Sequence, residues 1–559
     1  MRSRSCFAVV LLMSAVCPLA LSAASVQVNS ANPNSVAQGT IDIDIAIAGS
    51  GFKRGANSKF FVTGTTDSGG VTVNSTTFVG SSQVTANITV PLTATVSSYD
   101  IVVTNTDGSS GKGTGLLGVE GNGNAALCTL QPLPSNVTAL GTLNPVAASG
   151  APVYANQFGM SVKSRLVTLM GQPAVMVAVG EGASPATVEV FFLRPDTGAL
   201  LDGVSGYFPV PQPHVTVTPV SATVIPNLVI ADFNGDGIPD MAFHTGNSTA
   251  NIQAVLGTGG SCSNSVCTPL GFSAPIAVVT GVGANSQLAA GNLDPTAPGD
   301  ELAVGSLPIN GKGNSFTPGK LLLFRYNGGF VNYLTLTDPE NLSSTNFGAG
   351  VAVADVTGDG ITDVVVGASS GAGGAGRVWV FPGPNFSSPF SLTGSKGMEL
   401  GYRAAIGNFT EAAGGVSDIF SVTGLSSASA EGVVFAGPIS SSSLVDITLA
   451  PAAGLSTTGF GTNIAAGDID GDGRADALIA DPNSGPAGCN NANPGIAYLY
   501  LSGQGFPTLT IMPPTASSGT QFGWDVSAVS GTKLFLIGAK AWNVGSVQSA
   551  GQVFVYSLK

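Results

Sequence analysis

Three nine-residue acidic segments share one pattern and recur at multiples of about sixty residues: Asp232-Phe-Asn-Gly-Asp-Gly-Ile-Pro-Asp240, Asp355-Val-Thr-Gly-Asp-Gly-Ile-Thr-Asp363 and Asp468-Ile-Asp-Gly-Asp-Gly-Arg-Ala-Asp476. Each lies between two short apolar runs. Around the middle copy, residues 351–354 (VAVA) precede the loop, residues 364–368 (VVVGA) follow it, and a Gly-rich turn leads to residues 377–381 (RVWVF). The repeating unit therefore reads strand, acidic loop, strand, glycine turn, strand. A Phe-Gly pair eight residues before the loop sets the register, with Phe347-Gly348 before Asp355 and Phe460-Gly461 before Asp468. The same offset finds decayed copies, from Leu400 to Asn408 and from Phe522 to Ser530. Asn292, with Asp294 and Asp300, opens another, and Met170-Gly171 marks the faintest. The anchors 170, 232, 292, 355, 408, 468 and 530 divide the chain into seven units. A β-rich repeat of this length predicts a seven-bladed β-propeller, since a linear β-solenoid has shorter periods. Residues near Val153-Tyr154 are expected to complete the last blade beside Gln552–Tyr556.

These features together, Phe347-Gly348-Ala349-Gly350, the acidic loops and the Gly-Ala runs, resemble the FG-GAP/VCBS repeats of integrin α-subunit propellers over residues 151–559. The resemblance implies extracellular ligand binding or adhesion.

The preceding region is β-rich in a different way. From Ser25 to Glu120, apolar and polar residues alternate in short runs such as Ile41-Asp42-Ile43-Asp44-Ile45, broken by Gly, Asn, Asp and Ser. That alternation predicts a half-buried β-sandwich. Asn32-Pro33-Asn34-Ser35, Gly49-Ser50-Gly51-Phe52 and the run from Tyr99 to Gly108 make this segment resemble the IPT/TIG immunoglobulin-like family. Residues 121–150, rich in Gly, Asn, Ala and Pro, are expected to form a linker. Residues 1–24 read as an export signal: Arg2 and Arg4, an apolar stretch from Phe7 to Leu21, and the small residues Ser22-Ala23-Ala24. A secreted, periplasmic or cell-surface location follows as the expectation.

Charge narrows the partners. Nineteen Lys and Arg stand against 32 Asp and Glu, for a formal charge of −13. Nucleic acid is excluded as a natural partner, because binding it needs a basic face. An extracellular protein or glycan is expected instead. No apolar run after the signal approaches the ~20 residues of a spanning helix, so no membrane-spanning segment is expected there. With Cys6 and Cys17 in the signal, four cysteines remain. Cys262 and Cys267 are close enough in sequence to form a disulfide across one short turn, which leaves Cys128 and Cys489 as the remaining pair. Free buried thiols are the alternative.

The acidic loops carry the chemistry. Ten of the chain's Asp fall within them, far more than chance placement allows. Side-chain oxygens at positions 1, 3, 5 and 9, with the carbonyl at position 7, are expected to converge on a cation. These are Asp232, Asn234, Asp236 and Asp240 with Ile238; Asp355, Thr357, Asp359 and Asp363 with Ile361; and Asp468, Asp470, Asp472 and Asp476 with Arg474. Calcium accepts six to eight oxygens in flexible cages, whereas magnesium prefers a near-octahedral shell and keeps its waters. About three calcium sites are expected, the tightest at Asp468, where four carboxylates meet. The alternative is plain Asp/Gly turns without metal. For the irregular copies at Asn292 and Asn408, plain turns are the expectation and a cage the alternative.

Catalytic motifs do not survive inspection. Gly367-Ala-Ser-Ser-Gly371 matches a nucleophile elbow, and residues 371–376 spell G-x-G-x-x-G, but neither leads into a predicted helix. His214 and His244 belong to no catalytic spacing, and the eight Glu form no evident pair. No catalytic residue is assigned. A polysaccharide lyase or hydrolase and a carbohydrate-binding propeller stay open as alternatives, the latter weakened because the three Trp do not follow the repeat.

Overall fold

The computed structural model describes residues 25–559 apart from short stretches, the longer ones being 121–129, 146–155, 424–430 and 486–492. The export signal, Val153-Tyr154, Cys128 and Cys489 lie outside the described residues. Two compact units are divided between Leu127 and Cys128.

In the first unit two four-stranded sheets enclose one core. One sheet runs Gln27–Asn32, Thr40–Ser50, Gln83–Val90, Thr72–Gly80; the other runs Ser35–Ala37, Ser110–Glu120, Ser97–Thr104, Asn57–Val62. The two-residue side-chain period sends Val84, Ala86, Ile88 and Val90 inward to meet Tyr99, Ile101 and Val103. The buried Asp100 is paired with Lys112 at 2.6 Å and accepts the Gly64 and Gly115 N–H groups. Burial raises its pKa, but these partners outweigh that and hold it at about 2.

Among the described residues the second unit holds seven four-stranded antiparallel sheets and three short two-stranded ones. Their first strands are Ser161–Leu169, Leu228–Ala231, Leu288–Gly291, Phe347–Ala354, Arg403–Gly407, Ile464–Gly467 and Phe522–Ala528. Each touches the next in order, and Phe522–Ala528 touches Ser161–Leu169, so the series closes on itself. This is an all-β architecture consistent with a β-propeller.

Stacking explains the apolar runs. Asp363–Ala368 is buried along its whole length because both faces meet a neighbouring sheet. Val364 and Val366 pack on Leu321 and Leu323 of the third sheet. Val365, Val378 and Val380 pack on Ile419, Val433 and Phe435 of the fifth. A strand covered on both sides loses the polar alternation of a half-exposed one.

Closure corrects two expectations. The outer strand of the last sheet is Val137–Leu143, within the span expected to be a linker, and it takes the place assigned to Val153-Tyr154. It pairs antiparallel with Gln552–Leu558, Val137 opposite Leu558 and Leu143 opposite Val553. Burial of Val137 and Leu143 and satisfaction of an otherwise open sheet edge account for the pairing.

Candidate metal centre

Each acidic loop joins the first and second strands of its sheet, with the position-9 Asp as first residue of the second strand. The loops turn tightly because glycines at positions 4 and 6 take positive φ: Gly235 and Gly237 at 72° and 80°, Gly358 and Gly360 at 79° and 82°, Gly471 and Gly473 at 84° and 85°.

The first Asp gathers the loop's own amides. Asp232 accepts the Gly235 and Gly237 N–H groups, both at 2.8 Å. Asp355 accepts those of Gly358 and Gly360 at 2.7 and 2.8 Å, and Asp468 those of Gly471 and Gly473 at 2.7 and 3.1 Å. At position 5, Asp236, Asp359 and Asp472 accept the N–H of Ile238, Ile361 and Arg474. Asn234 and Asp470 each accept the N–H two residues on.

The position-9 carboxylates have a second task that the sequence reading missed. Asp240, Asp363 and Asp476 are fully buried. Each spans the loop with one oxygen, accepting the N–H of Phe233, Val356 or Ile469. The other oxygen accepts an N–H beyond the third strand, from Gly257, Gly383 or Ser502. The clamp persists where the acidic pattern has decayed: Asp418 accepts Phe409, Thr410 and Gly437, and Glu301 accepts Leu293 and Asp294. The sequence signal was there, a carboxylate opening a strand after an apolar position-2 residue, but only metal ligation was read into it.

In the third loop, Asp468, Asp470 and Asp476 bring one carboxylate oxygen each to within 4.8 Å of one another. Burial, then the charge of Asp470, pushes the Asp476 carboxyl up to about 7. In the first loop, burial, then Asp236 and Asp232, pushes Asp240 up to about 6. In the second loop the Thr357 hydroxyl is buried with no hydrogen-bond partner among the described residues. Oxygen-only donors, crowded negative charge and an orphaned hydroxyl fit a hard cation.

One expected ligand is diverted. Asp472 is held by the Arg474 guanidinium, at 3.0 Å from Nε and 2.8 Å from Nη2, and by the Ser502 hydroxyl at 3.0 Å. Burial alone would raise its pKa, and these partners carry it below the ordinary value. It stands outside the convergent group, so three carboxylates meet in this loop and not four.

Other candidates have structural work. Asp294 and Asp300, read as remnants of a loop, face Arg325 and Arg165 at 3.6 and 3.7 Å, and Asp300 also accepts the Asp232 N–H at 3.2 Å. His244 is buried against the Gly283 carbonyl, and burial depresses its pKa to about 4. His214 stacks on Phe191. Residues 371–374, the Gly-rich stretch after the elbow-like motif, make one turn with positive φ at Ala372 and Gly373. The two buried carboxylates of Glu181 and Glu189, not paired in the sequence reading, flank the Thr187 hydroxyl at 2.9 and 3.2 Å. Burial, with the charge of Glu181, raises the pKa of Glu189. Cys262 and Cys267 form the expected disulfide, and no described helix is long and apolar enough to cross a membrane.

No match to the chain is found among curated proteins. Residues 347–381 and 460–500 match the FG-GAP repeat family, each segment beginning at an apolar-Gly pair and enclosing one acidic loop, and these two matches support an FG-GAP repeat protein.

Proposed function

We propose that this is an exported, calcium-binding, seven-bladed β-propeller of the FG-GAP/VCBS kind, preceded by an IPT/TIG-like immunoglobulin module, and that it serves extracellular ligand binding, adhesion or scaffolding. The observation that carries the calcium reading is the convergence of Asp468, Asp470 and Asp476 in a loop made only of oxygen donors. Asp355, Thr357, Asp359 and Asp363 with the Ile361 carbonyl, and Asp232, Asn234, Asp236 and Asp240 with the Ile238 carbonyl, are the donors proposed for the other two ions; the Arg474 carbonyl completes the third set. The disulfide and the acidic surface charge accord with an extracellular setting.

Bound only by the folded chain, calcium stabilises it by RT ln(1 + [L]/Kd), about 2.7 kcal/mol at a hundredfold excess over Kd. It also neutralises carboxylates whose repulsion opposes the folded loop. The role assigned to the ions is stiffening of the sheet ends. The test is thermal unfolding across a calcium titration with a chelator control. Calcium is expected to raise Tm in the native chain and by less in Asp470→Ala. An equal response in both removes the third loop from the account.

A further inference from the structure

The positive-φ glycines Gly159, Gly348, Gly401, Gly461 and Gly523 each lie at or just before the start of a sheet's first strand and are followed by Met160, Ala349, Tyr402, Thr462 and Trp524. Side chains from this position of four sheets, together with Pro226 and Gln287 from two others, line one cavity of about 230 Å³. Its remaining lining comes from Arg403, Asn463 and Asn483.

The chemistry of this cavity is distinctive within a chain of net charge −13. Its described lining holds a guanidinium, three carboxamides and two aromatic rings, and no carboxylate. Arg403 is fixed in place: Nη1 donates to the Ala349 and Tyr402 carbonyls at 3.3 and 2.9 Å, and the guanidinium lies 4.2 Å from the Tyr402 ring centre. Its Nε is shielded from solvent and has no protein acceptor among the described residues. A second cation, Lys540, lies over the Trp524 ring at 3.0 Å. With Nη1 given to two carbonyls and Nε shielded, Nη2 is the Arg403 group that can donate to a carboxylate, while amides suit hydroxyl groups and aromatic rings offer flat apolar faces. The volume falls below the ~300–1,000 Å³ typical of drug-sized ligands, which suits one sugar ring.

We propose that this cavity binds an acidic monosaccharide, the uronate unit of a glycan, with the carboxylate on Arg403 and the ring against Trp524 and Tyr402. The site gives the proposed ligand-binding role a substrate class. It uses none of the acidic-loop residues, so it stands or falls separately from calcium.

The experiment is calorimetric titration of the full chain in calcium with D-glucuronate, its methyl ester, D-glucose and acetate. Saturable binding of glucuronate is expected, at least tenfold tighter than each of the other three. Arg403→Gln is expected to weaken it at least tenfold, with partial recovery in Arg403→Lys. Trp524→Leu is expected to weaken it severalfold while leaving the calcium response unchanged, which keeps the test valid if Arg403→Gln misfolds. Absence of saturable glucuronate binding, equal binding of ester, glucose or acetate, or native affinity in both Arg403→Gln and Trp524→Leu overturns the proposal. Any of those results leaves the calcium titration unaffected.

Discussion

The Asp476 carboxylate lies 2.8 Å from the Ile469 amide nitrogen, tying the end of the third acidic loop to its beginning. The same bond joins Asp240 to Phe233 at 2.8 Å, Asp363 to Val356 at 3.0 Å and Asp418 to Phe409 at 2.7 Å. Only the first three pairs belong to full acidic loops, so the clamp is separable from metal binding.

Asp418→Ala tests the clamp alone. It strands three N–H groups, those of Phe409, Thr410 and Gly437. Leaving a buried donor unsatisfied costs ~1–3 kcal/mol, so a loss of about 3 kcal/mol or more is expected. Denaturant unfolding should give the same loss with calcium and with chelator.

Arg474→Ala should tighten the third loop. The substitution removes a cation from Asp472 and frees that carboxylate for the cluster formed by Asp468, Asp470 and Asp476. The pair is partly exposed, and such pairs are worth ~0.2–1 kcal/mol, which corresponds to a gain in calcium affinity of up to about fivefold. Calorimetry on the variant checks this, and a weaker site would show that Arg474 supports the loop.

Asp481 predicts a pH dependence. Burial pushes its carboxyl up to about 7, against which hydrogen bonds from Ser484 and Gly459 act only in part. A folded-state pKa above the unfolded value means the folded chain holds the extra proton. The stabilisation is complete below the unfolded pKa of ~3.9 and is lost as pH rises through about 7. Asp481→Asn, which stays neutral, should flatten the Tm profile between those limits, so that from pH 5 to pH 8 the variant gains stability relative to the native chain. An unchanged slope would assign the dependence to other groups.

Deleting residues 137–143 should weaken the whole second unit. The strand buries Val137 and Leu143 and covers the edge of Gln552–Leu558. Burying each such side chain is worth ~1.5–3 kcal/mol, so a loss of about 3–6 kcal/mol is expected in chemical unfolding.

Much of the repeat was legible because its determinants are local. The glycines at positions 4 and 6, the acidic oxygens and the flanking apolar runs all lie within one short segment, and each acts on the backbone beside it. The Cys262–Cys267 disulfide was legible for the same reason. The Arg474 pairing was equally close in sequence, yet it was read only as a carbonyl donor, because spacing says nothing about which way a charged side chain turns.

What lay beyond the sequence was partnership across distance. Val137–Leu143 carries no strong strand pattern, and its partner, Gln552–Leu558, lies at the far end of the chain. The uronate cavity draws Met160, Tyr402 and Trp524 from three separate sheets, and those three residue types share no visible motif. The amino-acid order alone determined the repeating strands and their glycine-turned acidic loops, since these depend on dihedral preference and near-neighbour chemistry. Which strand closes the last sheet, which carboxylates converge, and which side chains meet at the cavity were decided only by the tertiary structure, because burial and charge depend on neighbours that chain order does not specify.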